Sequence, residues 1–177
     1  MTTKWMLALA LLAASLNAGG KGTMRKAEEK DLDAMVVLSA AKRVEYEGYQ
    51  PIFHKVAADA DAKQRLFLKD QLSKPDMLFL VHEDGTKLDG WLNLRLVGAP
   101  PVYNPGGKIA LVDDFTVSQA AQWPTVGKAL LQEAQKWAKG QGAVLINVVC
   151  GPKDAPKRQL LQDLGLSVAS EWHVKGL

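Results

Sequence analysis

An internal disulfide is excluded at the outset, because the 177-residue chain has one cysteine, Cys150, and a lone thiol has no partner within the chain. Histidine is nearly as scarce, with three in all. They lie too far from one another and from Cys150 to give zinc spacing, so no metal is expected. Long Lys/Arg runs are missing and the net charge is only +3. That permits an anionic ligand but gives no nucleic-acid footprint. No apolar run is long enough to span a bilayer as a helix. What the chain does have is 47% hydrophobic residues against 23% charged. This balance argues against disorder and suits one globular domain with one real core.

The N-terminus is the compositional anomaly. Residues 5–16 read WMLALALLAASL, preceded by Lys4 and followed by small residues. That is the length of a signal-peptide core. Leu16, however, spoils an A-x-A ending at Ala18, and MRKAEEKDL from Met24 reads as the first strand of a cytosolic enzyme. Residues 1–23 are therefore expected to be an extension, signal-like or an extra helix, ahead of a domain over 24–177. Export, with residues 1–20 as signal peptide, stays open as the alternative to a cytoplasmic location.

Periodicity orders the rest. A short strand at 24–27 precedes a helix capped by Asp31, with Leu32, Met35, Val36 and Leu38 at helical spacing. A second helix covers about 60–72. MLFLV (77–81) and GWLNLRLV (90–97) read as an antiparallel pair around the EDGT turn. GAPPVYNPGG (98–107) is a structured loop, and KIALVDDFTV (108–117) a strand. A strong helix is expected at 124–139 and a continuous buried strand at 143–149, then a helix at 155–164 and a last strand at 168–174. A strand–helix–strand passage from Lys108 to Val149 demands a parallel crossover. The fold class is thus α/β, a mixed sheet with helices on its faces.

Chemistry concentrates in DDFTVSQAAQWPTVGKALL, 113–131. A strand feeds a loop and then a helix start, whose unpaired N–H groups attract phosphate. Pro124 suits the first helical position. Gly127 would leave room for a ligand to approach, and Lys128 adds positive charge. An ordinary helix start with a tolerated glycine has the same spacing.

This segment resembles the GNAT family of N-acetyltransferases. Its pyrophosphate loop has the pattern Arg/Gln-x-x-Gly-x-Gly/Ala, and Gln122-Trp123-Pro124-Thr125-Val126-Gly127 matches the first and last places, with Thr125 in place of the middle glycine. VDDFTV, VGKALL, AVLINVVC and DLGL extend the likeness in order and spacing. The resemblance implies a mostly antiparallel mixed sheet with helices on both faces. It implies acetyl-CoA as cofactor, its pantetheine arm held by main-chain groups of Phe115, Thr116 and Val117. The pyrophosphate would sit at the turn from Gln122 through Thr125, Val126 and Gly127 to Lys128. The strands at 108–117 and 143–149 would splay to admit the thioester. The family's helix tyrosine, which protonates the leaving thiolate, is replaced by Leu161, so the proton must come from water, from substrate, or from a group such as Tyr103.

Asp113 and Asp114 fall at the implied active centre as candidate catalytic groups. Strand neighbours face opposite sides, so one of the two faces the cleft unless a bulge intervenes. Tyr46 and Tyr49, with Tyr103, are candidate substrate walls. The implied partner is a small-molecule or peptide amine; a homodimer is allowed, and neither nucleic acid nor membrane is expected. A non-catalytic acyl-CoA-binding sensor is the alternative, suggested by the missing tyrosine.

Overall fold

The structure is a computed structural model and describes residues 22–177. The apolar segment Trp5–Leu16, and most of the expected 1–23 extension, lie outside the described residues. Five strands form one sheet in the order β1-β2-β3-β4-β5: β1 Thr23–Lys26, β2 Met77–Asp84, β3 Lys87–Val97, β4 Lys108–Val117 and β5 Ala143–Val148. All neighbours are antiparallel except β4 and β5, which are parallel. The helices are α1 Leu32–Tyr49, α2 Ala60–Gln71, α3 Lys128–Gly140 and α4 Ala155–Asp163. No helix among the described residues is long and apolar enough to cross a membrane.

Period-two alternation in the central strands creates two cores. Leu78 and Leu80 of β2 join Leu92 and Leu94 of β3 beneath α3 and α4, where Leu130, Leu131 and Leu160 are buried. Phe79, Val81 and Trp91 point the other way, onto Leu32, Met35 and Val36 of α1 and Leu68 of α2. The β2–β3 hairpin closes with Asp84 opposite Lys87. Gly85 supplies the positive φ, +66°, that this tight turn needs.

Three expectations are corrected. The helix expected at 124–139 opens instead with a π-helical turn, Trp123–Gly127, before α3. β5 is not buried: Val144 is 52% and Leu145 37% exposed, because β5 is an edge strand with one neighbour. The strand expected at 168–174 does not form. Trp172 instead meets Phe53 edge-on at 5.8 Å, so the alternating pattern of this segment finds no ladder to join.

Candidate active site

β4 and β5 part company halfway along β4. Their pairing runs from Lys108–Ala143 to Val112–Val148, with a last bond from Val149 N–H to Val112 O at 3.0 Å. Beyond it β4 continues to Val117 while β5 ends. The result is a notch beside Asp113–Val117. On the other edge of β4, pairing with β3 shifts register between Leu92 and Leu94. Asp113 and Asp114 there oppose the single residue Asn93, which makes a β-bulge. The bulge keeps Val112 and Phe115 in the same core, although they are three apart. It also brings both aspartates to one pocket of about 270 Å³ between α1, β4 and α4.

The carboxylates differ. Asp114 is half-buried; its N–H donates to Asn93 Oδ1 at 3.0 Å, and its Oδ2 accepts from Gln64 Nε2 at 3.3 Å. Burial, and then the neighbouring Asp113 charge, push its carboxyl above the usual range. Asp113 is exposed. Asp114 is therefore the better proton acceptor and Asp113 the better attractor of a cation.

Across the pocket, Asp154 is 1% exposed and meets Lys42 Nζ at 2.8 Å. Burial works against the Lys42 ammonium, but hydrogen bonds to Asp154 and Glu45 outweigh it and raise its pKa. Tyr46 Oη donates to Asp154 at 3.1 Å and accepts from Gly151 N–H at 3.1 Å. Burial pushes this hydroxyl far up, so it stays protonated. Arg43 is drawn away to Asp61 and Gln64 on α2. Lys157 of α4 lies 2% exposed at the pocket, and its Nζ donates to Phe115 O at 3.1 Å. Burial lowers its pKa to about 8. Burial also pushes the Cys150 thiol up, which makes it a poor nucleophile.

The turn leading into α3 is held from behind. Gln122 Nε2 donates to Asp89 Oδ2 at 2.8 Å, and Asp89 Oδ1 meets His82 Nδ1 at 2.5 Å. Gln122 Oε1 accepts from Ser118 Oγ at 2.7 Å and Gln119 N–H at 3.0 Å. The Gln122 side chain thus braces the turn. Gly127 does not leave room for a ligand, as its sequence context suggested. A Cβ there would meet Trp123 at 2.6 Å and Leu160 at 3.1 Å, so packing demands the glycine. Val126 is buried, Thr125 and Lys128 are exposed, and Thr125 Oγ1 bonds back to Gln122 O at 3.3 Å. No residue other than glycine has positive φ among the described residues, so Thr125 is unstrained.

Tyr46 lines the pocket. Tyr49 stacks behind it at 5.6 Å, outside the lining, and Tyr103 is 71% exposed in the loop before β4. Sequence reading missed Asn93, Asp154, Lys42 and Lys157. Two of these carry a signal: Asn93 is the one amide within the apolar LNL, and Lys157 shares a helical stripe with Leu160, Leu161 and Leu164.

The family described as "Acetyltransferase (GNAT) family" matches residues 43–166. A structure described as a predicted acetyltransferase with acetyl-CoA, from Clostridium acetobutylicum, superposes with a TM-score of 0.70 at 17% identity, covering 88% of this chain and 96% of that one. Glucosamine-6-phosphate N-acetyltransferase from Arabidopsis thaliana gives 0.64 at 17% identity, over 88% and 97%. An aminoglycoside N-acetyltransferase in complex with CoA gives 0.65 at 12% identity, over 92% and 99%. Such identities speak for a shared fold alone. No curated protein matches the chain.

Proposed function

The chain belongs to the GNAT acetyltransferase family, and on that premise we propose that it moves an acetyl group from acetyl-CoA directly to the nitrogen of a small-molecule or peptide amine, in the cytoplasm. The observation that carries this reading is the bulged β4. It leaves β5 at Val112 and turns two carboxylates to the pocket beside the notch.

The residues present fit the cofactor. The main chain from Phe115 to Val117 has no β5 partner, which leaves that edge open to the pantetheine amides apart from Phe115 O, which accepts from Lys157. Within the turn from Gln122 to Lys128, the N–H groups of Gln122, Trp123 and Lys128 are bonded to Gln119, Ala120 and Trp123, so those of Thr125 and Val126, with the exposed Lys128 side chain, suit a pyrophosphate. Bound acetyl-CoA supplies the acetyl group as an activated thioester. Asp113 draws the acceptor ammonium inward. Asp114 Oδ takes its proton, freeing the nitrogen lone pair for attack. Tyr46 forms one wall and is fixed by Asp154 and Gly151.

Calorimetry with CoA, followed by turnover against a panel of amines, tests this reading. Asp114→Asn should lower kcat by about 10²–10⁴-fold with CoA affinity unchanged, and Asp113→Asn should act mainly on KM. CoA binding without turnover on any amine would favour the sensor alternative, for which Leu161 in place of tyrosine already speaks.

A further inference from the structure

Lys157 is a buried cation without a counter-charge. Its stripe-mates Leu160 and Leu161 are core residues, yet the ammonium itself ends against main chain. Nζ donates to Phe115 O at 3.1 Å and lies 5.1 Å from the Phe115 ring and 5.6 Å from the Trp123 ring. An ammonium has three donors, and among the described residues Lys157 makes one hydrogen bond and no salt bridge. The charged groups around it are otherwise engaged or set apart. Asp154 is held by Lys42, while Asp114 takes its hydrogen bond from Gln64. Lys42, Arg43 and Tyr46 face it from α1, His54 from the loop after α1, Asp113 and Asp114 from β4, and Cys150 from the end of β5. A buried charge of this kind is costly unless something meets it. The atom it contacts belongs to the strand segment where the notch opens.

We propose that Lys157 is the acid that protonates the CoA sulfur as it leaves. This rests on the acetyl-CoA reading above. As the acceptor nitrogen forms its bond to the acetyl carbon, the carbon–sulfur bond breaks with its electron pair on sulfur. One proton passes from Lys157 Nζ to that sulfur, and the acylated nitrogen gives up its surplus proton to water, from which the neutral lysine amine regains one. The lysine thus does from α4, one turn before Leu161, what that leucine cannot. Burial suits it to this role. Lowered to about 8, its pKa lies near the ~8.5 of an ordinary thiol, so transfer is nearly balanced.

The test needs no acceptor. Affinities of CoA and of desulfo-CoA, which lacks only the sulfur, are measured by calorimetry from about pH 6 to 10. If the sulfur meets Lys157, the preference for CoA over desulfo-CoA peaks near pH 8, where thiolate and ammonium coexist in the complex. With one pKa unit of coupling the peak should reach roughly twofold, since uncoupled thiolate and ammonium coexist in only about one complex in eight, and it should vanish in Lys157→Met. A preference flat with pH in the wild-type protein overturns the proposal while leaving the cofactor reading intact. Failure of both ligands to bind overturns both. Mass spectrometry after incubation with acetyl-CoA gives an independent check: unmodified Lys157 is expected, whereas acetyl-Lys157 would make it an acceptor and sink its role as acid.

Discussion

An ammonium that is 2% exposed with a single acceptor weakens the fold wherever it stays charged. Burial takes Lys157 from 10.5 to about 8, below its value in an unfolded chain. Between those values the unfolded state holds the proton and the native state does not, so the free energy of unfolding rises with pH. At about 1.36 kcal/mol per pKa unit, the rise is on the order of 3 kcal/mol. Lys157→Met should therefore be more stable than wild type near neutrality, with the advantage fading as pH climbs through the window. Urea midpoints of both proteins at about pH 7, 8.5 and 10 measure this, and the difference between them cancels groups common to both. Parallel curves would put the ammonium in contact with water. The aspartates are easier to find in the sequence than this lysine. Two carboxylates side by side in KIALVDDFTV interrupt an apolar strand, whereas a lysine in PKRQLLQD has the look of any solvated helix residue until its helical stripe is drawn. Gly127 misleads for a related reason. The Leu160 side chain that helps to fill the space beside it belongs to another helix, and no local pattern announces it.

At the scale of the element, the turn before α3 divides into a braced back and an exposed front. Asp89 at the back is 7% exposed and links His82 on β2 to Gln122. Asp89→Ala removes the acceptor of both, leaving the buried His82 ring unsatisfied at about 1–3 kcal/mol and freeing the half-buried Gln122 amide. It should also loosen the turn and weaken CoA binding by roughly tenfold, or about 1.4 kcal/mol. Thr125→Asp, on the exposed front, should weaken CoA by electrostatics with little effect on the thermal midpoint. Calorimetry paired with thermal melts separates the two; an Asp89→Ala protein with unchanged CoA affinity would detach the brace from binding. Element identity is largely readable from the sequence, since helix and strand periods are local. The π-helical turn is not, because Trp123 and Gly127 fit a regular helix start equally well by spacing. Nor is the fate of 143–149 and 168–174. An apolar run marks a strand, but whether that strand is central or at the edge depends on which neighbours arrive.

At the scale of the molecule, the sheet is a partition: α1 and α2 pack one face, while α3 and α4 pack the face that carries the turn before α3. β4 belongs to both, and the bulge is where the two sides are set in register. Strand order and the parallel β4–β5 pair follow from chain economy and the crossover rule, and both are legible in the sequence. The bulge is not, because it depends on Asn93 lying opposite two residues of another strand, 3% exposed and bonded to Asp114 N–H. A one-residue slip inverts every side chain beyond it, so straightening the bulge would exchange the faces of all β4 residues on one side. Asn93→Leu keeps the branching and heavy-atom count of the side chain and removes the acceptor. It should cost about 1–3 kcal/mol through the orphaned Asp114 N–H. It should also harm both functions together, lowering CoA affinity and Asp114-dependent turnover in one step. Asp114→Asn, which leaves the main chain alone, should spare CoA binding. Amide exchange supplies the structural readout: in Asn93→Leu, protection should fall at Asp114 and its neighbours on β4 while α3 and β2 keep theirs. If instead the variant binds CoA as well as wild type with protection on β4 unchanged, the bulge is held by the packing of Val112 and Phe115 alone, and Asn93 is a satisfied polar residue with no hold on the site.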